Sequence, residues 1–491
     1  MAVTREIELK LELEPADVDR FAKASVLANV AVRTEAQTST YFDTPDQALR
    51  KAGLSLRIRA IGNQRIQTVK AESGSAVGLF NRPEWEMAIE DDRPVVAAAD
   101  DPFRSLISAD ELQRLEQIFR IVVCRQTHVV ESNGAKIELV LDQGAIVAGS
   151  QVVTLCDVGL ELKQGLPAAV FALARRLDAV TPLQLSAISK AQRGYRLLDG
   201  LADRPVRRTP LRLTRDMVPT EGFEAIAYAC IRQFRLNQSI LAHKESPEAL
   251  HQARVALRRL RSAMSIFEEM LVDDLFEHLV SELRWIAREL DMARNLDVLL
   301  ERSSDATVFL QLQLARRHAY STAAVALGSP RLRTLMLDLV EWITIGNWRG
   351  RQPDGTVVRR LDSFAAEALE RCRRRVKRRG RHWGRLDSEA RHRLRIGAKK
   401  LRYAADFFGT LFPGAQALRR HKAFLKVLHA LQNQLGELND QRTGAALLAK
   451  LGLPDTPVRT IAESSAEAHK ILLDATVKTY RALVNAKRFW K

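Results

Sequence analysis

Between Glu6 and Leu162 the chain repeatedly alternates charged with apolar residues, and this alternation most limits what it can fold into. Side chains alternate across a strand, so Glu6-Ile-Glu-Leu-Lys-Leu-Glu12 sets Glu6, Glu8, Lys10 and Glu12 against Ile7, Leu9 and Leu11. Leu54-Ser-Leu-Arg57-Ile-Arg59 gives one face two arginines, and Glu84-Trp-Glu86 gives one face two carboxylates. Ile137-Glu138-Leu-Val-Leu-Asp142 and Leu160-Glu161-Leu162 add further acids of the same kind. One such strand reads as an edge with a wet face. Recurrence, with both charge signs, makes a barrel closed on itself one economical arrangement, apolar faces outward beneath helices and charges inward.

An interior lined by Arg and Lys suits a polyanion, because guanidinium forks match phosphate oxygens. Adjacent glutamates suit a hard divalent cation, Mg²⁺ or Mn²⁺. Together they describe a site for a metal–polyphosphate complex. Charge then divides the 491 residues: 1–204 hold 25 Lys/Arg against 28 Asp/Glu, and 205–491 hold 51 against 31. After Ala202-Asp-Arg-Pro-Val-Arg-Arg-Thr-Pro210 the texture becomes Leu/Ala/Arg-rich with a 3.6-residue period. The expected organisation is a β-rich domain at 1–203, a linker at 204–219 and a basic helical domain at 220–491. Cys124, Cys156, Cys230 and Cys372 lack paired spacing, which excludes a disulfide scaffold or Cys-rich zinc module. With no apolar signal region or membrane span in the sequence, a cytoplasmic protein is expected.

The first half resembles the CYTH superfamily, the triphosphate tunnel metalloenzymes. Glu6-x-Glu8-x-Lys10 matches its ExExK signature. Tyr41-Phe-Asp-Thr-Pro45, Leu56-Arg57-Ile-Arg59, Thr68-Val-Lys70, Arg82-Pro-Glu84-Trp-Glu86, Arg125, Glu138, Leu141-Asp142-Gln-Gly144 and Ser189-Lys190-Ala-Gln-Arg193-Gly194-Tyr195 follow in order. The resemblance implies an eight-stranded antiparallel tunnel, flanked by helices, that hydrolyses a triphosphate with divalent metal. Lys10, Arg57, Arg59, Lys70, Arg125 and Lys190 would then grip phosphate oxygens, and Glu6 and Glu8 would hold the metal. Glu84, Glu86, Glu138, Asp142 and Glu161 would complete the acidic lining, fix a second metal or orient the attacking water. One position departs: the family's last strand carries alternating acids, whereas Asp157-Val-Gly159-Leu-Glu161 has glycine in the middle.

In the second half, His251-Gln-Ala-Arg254-Val-Ala-Leu-Arg258-Arg259-Leu-Arg261 returns 141 residues later as His392-Arg-Leu-Arg395-Ile-Gly-Ala-Lys399-Lys400-Leu-Arg402, and Phe267 maps onto Phe408. This is an internal duplication of a helical unit. At about 100° per residue the four basic residues of the first copy share an arc of about 80°. Hardly any acid interrupts either stripe, and like charges at i,i+4 destabilise a helix unless an anion neutralises them. The pattern resembles the CHAD domain, an α-helical fold of two pseudo-symmetric four-helix bundles. Leu290-Asp-Met-Ala-Arg294-Asn-Leu-Asp297 and Leu435-Gly-Glu-Leu-Asn439-Asp440 look like its turn motifs. The resemblance implies inorganic polyphosphate bound by His251, Arg254, Arg258, Arg261, His392, Arg395, Lys399 and Arg402, with Tyr403 a weaker candidate. The dense run Arg371–Trp383 extends that surface; a nucleic-acid arm is the weakest reading, for want of an aromatic signature.

The whole chain is therefore expected to be a multidomain α+β inorganic triphosphatase joined to a polyphosphate-binding module, with association with polyphosphate granules as an option. A non-catalytic polyphosphate-binding protein with a decayed tunnel, and a thiamine or nucleoside triphosphatase, stand as alternatives.

Overall fold

The computed structural model describes the chain except residues 1–6, 72–76, 81–83, 96–108, 302–305, 351–358, 384–385 and 452–465, together with the side chains of 79–80, 109, 112, 306–307, 439–447, 450 and 466–467. The chain divides into two compact units, Met1–Val206 with Gly328–Gly346 and Arg207–Leu327 with Asn347–Lys491. No helix among the described residues is long and apolar enough to cross a membrane.

The strands are β1 (Glu8–Leu13), β2 (Val32–Asp43), β3 (Leu54–Ile61), β4 (Gln64–Ala71), β5 (Leu79–Phe80), β6 (Glu84–Ile89), β7 (Glu116–Ser132), β8 (Ala135–Ala148), β9 (Gln151–Gln164) and β10 (Leu183–Leu185). The longer helices of the first half are α1 (Ala168–Val180) and α2 (Lys190–Leu198). There follow α3 (Pro219–His243), α4 (Pro247–Ile266), α5 (Phe276–Glu289), α6 (Asp291–Leu300), α7 (Ala306–Gly328) and α8 (Pro330–Ile345). The last four are α9 (Leu361–Arg379), α10 (Ser388–Phe408), α11 (Ala415–Lys450) and α12 (Ala466–Asn485).

All strand pairs of the first unit are antiparallel, in the order β10-β1-β9-β8-β7-β2-β3-β4-β6, with β5 also on β1. Ten strands are present among the described residues where the resemblance implies eight; β5 and β10 are the short ones, of 2 and 3 residues, and both pair with β1. The alternation read from the sequence is realised side by side. Leu9 and Leu11 are fully buried on one face of β1, while Glu8, Lys10 and Glu12 on the other are half-buried. Ile137, Leu139 and Leu141 do the same on β8. Helix α1 covers β9 and β10 with Phe171, Leu173 and Leu177, all fully buried. Helix α8 packs on α1 and β10, with Arg333 paired to Asp178 at 2.6 Å and Arg175 to Asp338 and Glu341.

Two glycines of the motifs exist for closeness. A Cβ at Gly144 would lie 1.9 Å from the Val122 carbonyl oxygen, and one at Gly194 would lie 2.2 Å from the Phe119 ring. The first lets β8 lie against β7; the second lets α2 settle on a cluster of Tyr41, Phe119, Ile121 and Tyr195. In Tyr41-Phe-Asp-Thr-Pro45, Asp43 is fully buried and accepts from the backbone N–H groups of Leu49 and Arg50 and from the Tyr195 hydroxyl. That part of the signature locks α2 to the sheet.

In the second unit the duplicated helices are α4 and α10, each packed on the preceding long helix (α3 and α9) and on each other. Phe267 and Phe408, the equivalent residues, approach to 5.9 Å between ring centroids, and the Lys400 ammonium donates to the Ser265 carbonyl at 2.7 Å. Both segments read as turn motifs are instead helical: Asp291–Asp297 lies in α6 and Leu435–Asp440 inside α11. Asp297 is buried and accepts from Arg316 at 2.8 Å and Tyr320 at 3.0 Å, so its acid serves packing.

Candidate active site and anion-binding pocket

The charged faces of the sheet line a cavity of about 280 Å³. Into it reach Lys10 from β1, Arg57 and Arg59 from β3, Lys70 from β4, Arg125 from β7 and Lys190 from the first turn of α2. Glu8, Glu84, Glu86, Glu138, Asp142 and Glu161 alternate with them around the wall. Every cavity residue expected from the sequence is thus gathered here save Glu6, which lies outside the described residues.

Strand register decides which charges meet. Arg125 stands opposite Asp142 and grips it through two bonds of 2.7 Å, while Lys190 closes on the same carboxylate. Lys70 stands opposite Glu84 and pairs with it; Thr68 donates to Glu86 at 2.9 Å, with Arg57 3.8 Å away. Glu8, Glu161 and Glu138 form a row across β1, β9 and β8. Lys10 holds Glu8 at 2.9 Å, and Lys163 bridges Glu161 at 2.5 Å and Glu138 at 3.6 Å.

The cavity is electrostatically tense. The neighbouring Arg57, then burial and Arg125, bring Arg59 down to about 10. Burial also lowers Lys190, against the pull of Asp142 and Asp157. Burial would raise the Glu8 carboxyl, but Lys10, Lys70 and Lys190 outweigh it and hold it at about 2. Such a lining favours an incoming anion that spreads its charge over several arginines and lysines.

Two charged lining residues were not picked out from the sequence as site residues. Lys163 continues the inward alternation of β9 two residues beyond Glu161, a signal available from period alone. Asp157 is held by Arg193 at 2.9 and 3.0 Å, which ties β9 to α2. At Gly159 a Cβ would lie 3.0 Å from Glu8 Oε1, so the Glu8 carboxylate leans into the space a side chain would take.

The row Glu8–Glu161–Glu138 offers hard oxygen donors that fit a divalent cation. Among the described residues no three His, Cys, Asp or Glu side chains converge closely enough to hold a metal ion as they stand. Each acid of the row leans toward Lys10 or Lys163 instead.

In the helical unit, Arg254, Arg258 and Arg261 of α4 line a second pocket of about 440 Å³ together with Arg284 and Arg288 of α5. Arg254 also pairs with Asp291. Burial lowers the His251 imidazole, and Arg294, Arg258 and Arg254 add to it against Glu248. Of the second copy, Arg402 pairs with Asp406 at 3.4 Å and lies over the Tyr403 ring, while His392 is exposed and Arg395 and Lys399 are half-buried on α10. None of these four lines the α4–α5 pocket, and Tyr403 is fully buried.

A model of the CYTH domain matches residues 4–195, and one of the CHAD domain matches residues 225–449. The chain is a CYTH domain followed by a CHAD domain. Over 200 residues it is 32% identical to the inorganic triphosphatase of Haemophilus influenzae, a match taking in 39% of this chain and 55% of that protein, so the chain spans little more than half of that relative. Among solved structures, the CHAD domain of the plant Ricinus communis is 28% identical with a TM-score of 0.48, over 58% of this chain and 97% of that one. A Hippeastrum protein described as having a dominant triphosphatase activity is 18% identical with a TM-score of 0.30, over 39% of this chain and 95% of its own.

Proposed function

We propose that the first domain hydrolyses the phosphoanhydride bonds of inorganic triphosphate with the help of Mg²⁺ or Mn²⁺, and that the helical domain binds inorganic polyphosphate. The carrying observation is the crowding of Arg57, Arg59 and Arg125 around one cavity, at a cost in Arg59 basicity that a phosphate chain would relieve. The eight long strands act as a tunnel around the chain, and the two halves of the helical domain act as pseudo-symmetric bundles around a basic surface.

Lys10, Arg57, Arg59, Lys70, Arg125 and Lys190 bind and align the phosphate oxygens. Asp142 orients Arg125 and Lys190, and Glu84 and Glu86 orient Lys70 and Arg57. Glu8, Glu138 and Glu161, with Glu6, would hold the divalent ion once Lys10 and Lys163 turned from these acids to the substrate. That ion supplies charge neutralisation and polarisation of the phosphoanhydride. Charged side chains dominate the described lining of the cavity, which favours an unsubstituted phosphate chain. A cytoplasmic protein held at polyphosphate granules would follow from the helical domain's affinity.

A second reading is a non-catalytic polyphosphate-binding protein, and Gly159 favours it by removing one inward carboxylate from β9. Phosphate release from triphosphate, long-chain polyphosphate, ATP and thiamine triphosphate, each with Mg²⁺ and Mn²⁺, separates the readings. Metal-dependent turnover of triphosphate that vanishes in Glu8→Gln/Glu161→Gln supports the enzyme. Release no greater than in that variant rules it out.

A further inference from the structure

The helical unit contains another cluster of cations, built from parts that the duplicated helices do not supply. Arg373 and Lys377 of α9, Arg420 of α11, and Lys487, Arg488 and Lys491 of the last residues line an open cleft of about 490 Å³. No residue of either basic stripe lines it, and its C-terminal contributors lie beyond residues 225–449 of the CHAD match.

The cleft is held by buried aromatics. Phe489 and Trp490 are buried, Phe489 against His421 at 4.6 Å and Trp490 against Phe424 at 5.3 Å between ring centroids. Burial of the two rings fixes the chain between Lys487 and Lys491 against α11, which keeps its basic residues close to other cations. Arg373 donates to the Val484 carbonyl at 2.6 Å, and Arg420 to the Arg488 carbonyl at 3.5 Å. Among the described residues the acid that reaches the cluster is Glu370, 3.8 Å from Arg373 and 3.4 Å from Arg488. Among the described residues Lys377, Lys487 and Lys491 form no ion pair, and the buried Arg373 Nε has no hydrogen-bond partner. Six cations against one acid repel one another unless an anion lies between them.

We infer that this cleft binds the phosphate oxygens of an inorganic polyphosphate chain, as a site separate from the α4–α5 pocket. An open cleft lets an extended chain run through it, where a mononucleotide would call for enclosure. Its lining presents cations and no ring on which a base could stack, since Phe489 and Trp490 are buried. The choice of ligand rests on the polyphosphate reading above; the site rests on the cleft.

The test is binding of labelled inorganic polyphosphate to the full-length protein across a salt series. Lys377→Glu/Lys487→Glu/Lys491→Glu changes exposed side chains, and a milder triple Gln variant guards against misfolding. Affinity should fall about tenfold, and the slope of log K against log salt should drop by about 2, for three lost contacts. Unchanged affinity and slope in both variants overturn the inference; if Arg254→Glu/Arg258→Glu still abolishes binding, the α4–α5 reading survives alone. Loss only in the cleft variants upholds this site and rejects the other. A wild-type protein that ignores polyphosphate sinks both. Single-stranded RNA bound as tightly, and weakened equally by the triple variant, makes the occupant a nucleic acid and overturns the inference.

Discussion

Arg125 on β7 and Asp142 on β8 face each other in register and join through two bonds of 2.7 Å, with Lys190 on the same carboxylate. Asp142 is almost wholly buried, so removing its charge takes the paired carboxylate from Arg125 and leaves Lys190 with Asp157 at 3.9 Å. Asp142→Asn should destabilise the protein by about 3–5 kcal/mol in denaturant unfolding. Glu138→Gln, whose acid meets Lys163 at 3.6 Å in a half-exposed setting, should cost less than about 1 kcal/mol. Equal costs would remove the orienting role assigned to Asp142.

Acid should loosen this unit over a defined range. Glu8 titrates at about 2 in the folded chain against an ordinary 4.5, and Glu84 is also lowered where Lys70 and Arg57 outweigh burial. A depressed carboxylate stabilises fully above its unfolded pKa and loses that contribution as pH falls through its folded one. Melting temperature should therefore drop between about pH 4.5 and pH 2, and Glu8→Gln should flatten the drop. A variant as acid-sensitive as the wild type would contradict the assignment.

Gly159 gives a metal-linked prediction. Gly159→Ala asks only that the tip of Glu8 yield by a few tenths of an ångström, and should shift stability by less than about 1 kcal/mol. Gly159→Glu puts a further acid beside Glu8 and Glu161, so it should melt lower in chelator and regain stability with Mg²⁺ or Mn²⁺ more than the wild type does. No extra gain with metal would mean that the ion is not held on β1 and β9.

For the helical domain the readout is proton linkage. Burial and three arginines keep His251 below its usual pKa, and a bound polyanion would raise it again. Polyphosphate should thus bind with proton uptake, tightening up to about tenfold as pH falls from 7.5 to 5.5 at constant salt. His251→Gln should abolish most of this trend; an unchanged pH profile would place the imidazole away from the ligand.

The two-residue period made the cavity wall readable, because alternation alone dictates which side chains share a face of β1, β3 and β8. Partnership was not readable. Whether Lys70 meets Glu84 or another acid depends on the register of β4 against β6, which nothing local encodes. The duplication exposed α4 and α10, yet Arg284 and Arg288 belong to a helix outside the repeated segment and join the pocket only through packing. The C-terminal cleft was legible in part: Arg373 and Lys377 lie in the basic run Arg371–Trp383, whereas Arg420, Lys487, Arg488 and Lys491 join them from stretches far apart in sequence. Helix α8 reads as one more amphipathic segment, since its period is the same whichever unit it packs on.

That helix has a consequence for biogenesis. Unit one is discontinuous: Gly328–Gly346 completes it only after Arg207–Leu327 has left the ribosome. At about 5–20 residues per second, the nascent sheet waits on the order of ten seconds for α8 to cover α1 and β10. During that interval the flank stays bare, Arg175 and Asp178 without their α8 partners, and genetic truncation before Gly328 would make the wait permanent.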